Sequence, residues 1–327
     1  MHGTMGIGRL LTAAGVAVSL AGTSLAAAAP AEASALKPLP TKAISAHPVA
    51  PAYILRMPHS PGNITAPYNE VEDTATGAEI WGKSENTEVP MGSITKVMTA
   101  LVVLQSSGLD LNQLVTVPSG ITAYDNEYGA STAGLVPGQQ LTTLELLYAL
   151  LIPSGCDAAY ALAQAYGPGL DGFIAKMNST AAALGMTSTH FTDFSGLPDP
   201  TETSTYSTPS DLLKLGRAAM KVPLIASIVK LSTYHVDAVS GEHPAFTWNT
   251  TDPLIGVYPG IEGIKTGSTN GAGYCLLFEA YQGSEDVIGV VLDDPSWTVV
   301  TSDSEALLNF GFANYPRSGN WRPLAAH

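Results

Sequence analysis

Between Ile94 and Leu104 the chain carries hardly a polar position: Ile94, Val97, Met98, Leu101, Val102 and Leu104 leave almost no hydrophilic face. That pattern predicts a buried helix, closed by Ser107-Gly108. Upstream, "YNEVEDTATGAEIWGKSE" predicts two strands about a Thr-Gly turn. Residues 109–140 show no sustained period and read as loop-rich. "TTLELLYALLI" opens a helix with a capping box, Thr142 reaching forward and Glu145 back. "CDAAYALAQAY" and "LDGFIAKMNSTAAALG" add helix, and "PSDLLKLGRAAMK" another, with Ser207 or Thr208 as its cap. From Gly260 the pattern changes to three strand-like runs, "GIEGIKTGS", "GAGYCLLFEAY" and "DVIGVVLDD", and the helix "SDSEALLNFGFANY" closes the region. Strands at both ends with helices between them predict an α+β domain with a helical insertion, not alternating βαβ units.

The first 35 of the 327 residues have the make-up of a secretory leader: Arg9, the apolar stretch "LLTAAGVAVSLAG", and the small-residue site Ala33-Ser34-Ala35. An uncleaved membrane anchor is the alternative. Export outside the cytoplasmic membrane, as a secreted, periplasmic or wall-associated protein, is the expectation. Residues 36–64, with Pro38, Pro40, Pro48, Pro51, Pro58 and Pro61, read as an extended tether. A single domain at 65–316 and a short tail at 317–327 complete the organisation. The net charge of -14 is unchanged by removal of the leader, which carries one Arg and one Glu. Such a surface argues against a nucleic-acid partner or an anionic membrane. Cys156 and Cys275 could form one disulfide in an exported chain. No Cys or His group has metal-ligand spacing.

Against that background Lys96 stands out. It lies one turn after Ser93 on an apolar helix, and residues at i and i+3 share a face. A lysine held in such a site is pushed toward its neutral form, and a neutral amine can take a proton from serine. Alone, Ser-x-x-Lys is a weak signal. "IPSGCDAAY", however, places Ser154 in a Pro/Gly turn at a helix start, and "GIKTGST" places Lys265 and Thr266 on a strand beside Gly267, where another backbone can approach. Ser-x-x-Lys, Ser-Gly-x and Lys-Thr-Gly, in that order, are the signature set of penicillin-recognising serine enzymes.

With these motifs, and with "LVPGQQLTTLELLYALLIPSGCDAA", "SGLPDP" and "GIKTGSTNGAGYCLLFEA", the chain resembles the D-alanyl-D-alanine carboxypeptidases, the low-molecular-mass penicillin-binding proteins, from about Ala66 to Tyr315. The resemblance implies a β-lactamase/transpeptidase-like fold, with a central antiparallel sheet flanked by helices, a mostly helical subdomain, and the site between them. It implies that Ser93 attacks the bond between the last two D-alanines of a peptidoglycan stem peptide, that Lys96 is the base, and that Ser154 relays a proton. Lys265, Thr266, Gly267, Ser268 and Cys156 would serve substrate binding, with the Ser93 and Ser268 N–H groups as oxyanion donors. β-Lactams would be covalent inhibitors, and no cofactor or metal would be required.

Two departures stand against the family pattern. Cys156 replaces the usual Asn of the second motif. No Lys or Arg lies between Lys265 and Arg317, and the position of the usual carboxylate-binding arginine falls, by ungapped count, on Val300. A β-lactam hydrolase and a low-turnover binding protein are the competing readings. "EALLN", at 305–309, matches a β-lactamase loop in composition but reads as core helix.

Overall fold

The computed structural model describes residues 60–316; the expected leader, most of the tether and the tail lie outside them. Five strands form one antiparallel sheet in the order β2-β1-β9-β8-β7. They are β1 (Tyr68–Asp73), β2 (Ala78–Lys83), β7 (Ile261–Thr269), β8 (Gly273–Gln282) and β9 (Glu285–Asp294). The expected hairpin is β1–β2, and the three late runs are β7, β8 and β9. β1 pairs with β9 from Tyr68↔Leu292 to Asp73↔Val287, so the two ends of the domain meet in mid-sheet.

The apolar runs late in the chain follow from burial on both faces. Side chains alternate across a strand. On β9, Ile288, Val290 and Leu292 face the large helical core, while Val287 and Val291 face a second cluster under the last helix. On β8, Cys275 and Leu277 point one way, and Leu276, Phe278 and Ala280 the other. The last helix, α8 (Trp297–Ala313), starts five residues before the predicted segment; Ser296 caps it by accepting the Val299 N–H at 3.3 Å. The start matters, because Val300 lies inside its first turn, fully buried among Val71, Leu276 and Leu307. The ungapped position of the family arginine is thus a core position and does not face the cleft. Leu307 and Leu308 are buried likewise, as a core helix requires.

The helical part is built around α1 (Thr95–Leu104), whose first nine residues are all buried, as expected of a helix apolar on every side. Around it stand α3 (Thr143–Leu151), α4 (Cys156–Tyr166), α5 (Leu170–Ala183) and α6 (Pro209–Met220). The capping box of α3 is formed, and Thr208 is the residue that caps α6. Four short strands and two helices go beyond the sequence expectation: β3 (Leu114–Thr116), β4 (Gln140–Thr142), β5 (Thr233–Val236), β6 (Phe246–Asn249), α2 (Ile121–Tyr128) and α7 (Pro223–Val229). Strands of three or four residues carry too little alternation to register. Tertiary contacts fix them instead, as where Tyr234 of β5 stacks on Tyr148 at 3.6 Å.

Acidic residues are unusually deep. Glu70, Glu279 and Asp294 are all buried, and burial pushes their carboxyls up to about 7, 8 and 7 respectively. An acid whose folded value is raised holds its proton longer folded than unfolded. Raising pH from the ordinary carboxylate range to the raised value therefore favours unfolding, by about 1.4 kcal/mol per pH unit for each such group. The melting temperature should be highest near pH 5 and fall toward pH 8. Glu279→Gln, retaining shape without a charge, should flatten that fall and raise the melting temperature at pH 8. Parallel wild-type and variant curves from pH 5 to 9 would show that Glu279 ionises as an ordinary carboxyl.

Candidate active site

Ser93 sits in a single 3-10 turn, Gly92–Ile94, that leads into α1. One turn later, Lys96 is completely buried, and its Nζ has three partners: Ser93 Oγ at 2.7 Å, Cys156 Sγ at 3.2 Å and Ser154 Oγ at 3.4 Å. Ser154 lies between α3 and α4 with φ +65°. That conformation is uncommon for a residue with a Cβ and tends to be kept where function needs it. On the opposite wall, β7 carries Lys265, Thr266, Gly267 and Ser268. Lys265 is buried, and its Nζ donates to the Thr266 carbonyl at 3.1 Å and to Thr266 Oγ1 at 3.2 Å.

Glycines set the distance between the two walls. A Cβ on Gly267 would fall on the Met91 carbonyl oxygen, and one on Gly92, where φ is +54°, would lie 2.6 Å from Ser268 N. Only bare backbone lets the Ser93 turn and β7 come this close. The same contact makes the Ser93 backbone nitrogen a neighbour of Gly267, whose Cβ would lie 3.1 Å from it. A third strand of chain supports the turn from behind. Asp193 Oδ1 accepts from Ser195 N, Gly196 N and Leu197 N at 2.6–2.9 Å, and Tyr124 donates to its other oxygen at 2.5 Å. This loop presses Gly196 against the Gly92 carbonyl.

A cleft of about 1060 Å³ runs between the walls, bordered by Ser93, Ser154, Thr266, Gly267 and Ser268, and also by Ser131, Thr251 and Tyr128. Lys96, Cys156 and Lys265 lie beneath its surface. Cys156, expected from the sequence to touch substrate, is completely buried and touches Lys96 instead. Its other neighbour is Ser131 Oγ, 3.7 Å from Sγ, and that hydroxyl also donates to the Ser154 carbonyl at 2.7 Å. Asp157, next in sequence, accepts from Ala133 N and Leu135 N at 2.9 Å and so ties the Ser131 loop to the start of α4.

Cys156 and Cys275, a possible disulfide pair by sequence, are not bonded. Both thiols are free; that of Cys275 donates to the Ala272 carbonyl at 3.2 Å and is pushed up to about 12 by burial. Burial and the neighbouring Lys96 hold Lys265 well below the ordinary lysine range, while Cys156 and Asp252 oppose this. Asp252 is itself raised to about 6 by burial, with the Leu254 N–H and Lys265 pulling it down. Among the described residues no group of His, Cys, Asp and Glu is placed to hold a metal ion.

Of the eight sequence-expected residues, all are brought to this one cleft or directly under it. Ser131, Thr251 and Asp193 were missed. Each stands in a loop and bears no periodicity or spacing that a single sequence exposes.

The geometry is matched by likeness to known proteins. A family model described as D-alanyl-D-alanine carboxypeptidase matches residues 56–296. The chain is 40% identical over 250 residues to a D-alanyl-D-alanine carboxypeptidase of Streptomyces sp. strain K15, covering 74% of this chain and 85% of that one. It is 35% identical over 254 residues to D-alanyl-D-alanine carboxypeptidase DacB2 of Mycobacterium tuberculosis, covering 76% and 82%. The crystal structure of the Streptomyces K15 DD-transpeptidase superposes with a TM-score of 0.74 at 40% identity, over 77% of this chain and 98% of that one.

Proposed function

Because the chain belongs to the D-alanyl-D-alanine carboxypeptidase family, we propose that its cleft removes the terminal D-alanine of peptidoglycan stem peptides through an acyl-enzyme on Ser93. The observation that carries this reading is the placement of Lys96 Nζ, 2.7 Å from Ser93 Oγ and 3.4 Å from Ser154 Oγ, beneath a cleft walled by the Lys-Thr-Gly strand.

Ser93 Oγ adds to the carbonyl of the penultimate D-alanine as its proton passes to Lys96 Nζ. The negative charge that develops on the carbonyl oxygen is met by the N–H groups of Ser93 and Ser268. Collapse of the adduct breaks the peptide bond, and the leaving amine of D-alanine receives the proton from Lys96 by way of Ser154 Oγ. Water then attacks the Ser93 ester, gives a proton to Lys96, and releases the shortened peptide as Ser93 Oγ recovers its hydrogen. No metal or cofactor enters these steps. A β-lactam acylates Ser93 by the same first step. Cys156, which contacts Lys96 and not the cleft, serves to hold the amine in place.

Export of the mature chain goes with this reading, since stem peptides lie outside the cytoplasmic membrane. Its support is the leader-like residues 1–35. Among the described residues no helix is long and apolar enough to cross a membrane.

The test is to incubate the purified protein with a peptide ending in D-Ala-D-Ala and with fluorescent penicillin. D-alanine release together with a persistent protein label is the expected result. Label that fades quickly without peptide turnover would make the protein a β-lactam hydrolase. Label without any D-alanine release would make it a binding protein.

A further inference from the structure

The substrate ends in a carboxylate, yet among the described residues no Lys or Arg borders the cleft, and Val300 is in the core. At the Lys-Thr-Gly strand the cleft is lined by the hydroxyl-bearing Thr251, Thr266 and Ser268, with Glu202, Asp293 and Asp294 also on its border. Thr266 Oγ1 is 2.5 Å from Oγ1 of Thr251, and both residues line the cleft. Thr251 stands just after β6 and is fixed through its backbone: its N–H donates to the Ile152 carbonyl at 3.3 Å, two residues before Ser154. The adjoining Thr250 N–H donates to the Ser232 carbonyl at 2.9 Å.

The direction of these bonds is constrained. Lys265 Nζ donates to Thr266 Oγ1, so the Thr266 hydrogen must point to another acceptor. If it points to Thr251, the Thr251 hydrogen is left to face the cleft; if Thr251 donates to Thr266, the Thr266 hydrogen is left. In either order, one O–H is available to a carboxylate, backed by a chain of donors that begins at a buried lysine. Chains of this kind polarise one another.

Resting on the function proposed above, we infer that Thr251 is a carboxylate-binding residue, forming with Thr266 a two-hydroxyl element that takes the place of a surface cation. The group it recognises is the free α-carboxylate of a D-amino acid, or the equivalent carboxylate of a β-lactam. Lys265 acts on it through the two hydroxyls, as the donor at the head of the chain, rather than by contact.

The experiment compares acylation by benzylpenicillin and by its methyl ester in wild type, Thr251→Val and Thr251→Ser, with melting temperatures measured alongside. Thr251→Val should slow the free acid about 10- to 100-fold, the range for a lost hydrogen bond to a charged group, and the ester by no more than a few-fold. Thr251→Ser should restore the acid rate. Equal slowing of acid and ester, or no slowing of either, would overturn the assignment. If Thr251→Val does not fold, Thr251→Ala carries the same comparison. A folded wild type that reacts with neither probe would instead remove the functional reading itself, and this inference with it.

Discussion

Ser93→Ala is expected to abolish covalent labelling by fluorescent penicillin and to lower D-alanine release by more than about 10,000-fold, because no other nucleophile occupies the reacting position. The fold should survive. Ser93 is only half-buried, and the alanine leaves Lys96 with Ser154 and Cys156 as partners, so stability should change by no more than about 1 kcal/mol. The sequence holds a second Ser-x-x-Lys, Ser227 to Lys230, that could be thought to compete. The structure disposes of it: Ser227 Oγ donates to the Leu224 carbonyl at 2.8 Å, and Lys230 is half-exposed and paired with Glu262 at 3.6 Å. Neither residue borders the cleft. Stoichiometric labelling of a folded Ser93→Ala protein, read by intact mass, would remove Ser93 from the mechanism.

Gly196→Ala is expected to damage both stability and rate through a single methyl group. Gly196 has φ +86°, and its Cβ would land on the Gly92 carbonyl oxygen, backbone that cannot rotate away. The left-handed conformation alone costs roughly 1–2 kcal/mol, and relieving the overlap should bring the loss to about 2–4 kcal/mol. Because Gly92 precedes Ser93, relief must move the nucleophile, and a misplacement of about 1 Å typically costs about 100-fold in rate. Gly185→Ala is the control. Its φ is +73° but its Cβ would meet nothing within 4 Å. It should show the conformational cost with an unchanged acylation rate. Matching rate losses in the two variants would mean that the loop from Asp193 does not position Ser93.

What the sequence disclosed, it disclosed through density of signal. The runs that became β8 and β9 are apolar at nearly every position because both sheet faces are covered, and α1 is apolar all round because other elements surround it. Gly267, picked out as a point of close backbone approach, is where Met91 packs. The motif serines and lysines converge because the elements that carry them were recognised. What stayed hidden depends on contacts between distant loops. Thr251 and Thr266 meet across a gap of 15 residues with only a hydroxyl to mark either. Asp193 is one acid among 28 until five donors are seen around it. Cys156 was assigned to the substrate because it stands where the resembled family carries Asn, and a motif position does not show which residue reaches the surface. Val300 was placed by counting along the chain, and counting cannot show that α8 begins early enough to bury it.

The pairing of β1 with β9 also fixes a timetable. The first strand of the sheet finds its inner neighbour only roughly two hundred residues later, and such distant pairings form slowly because the intervening loop must close first. Until then β1 and β2 are an isolated hairpin, which is marginal in water. A nascent chain therefore has no closed sheet to lock the domain until β9 has been made, and a truncation before Glu285 would leave the hairpin without a sheet to join. The sheet is completed last, by the strand that leads directly into α8.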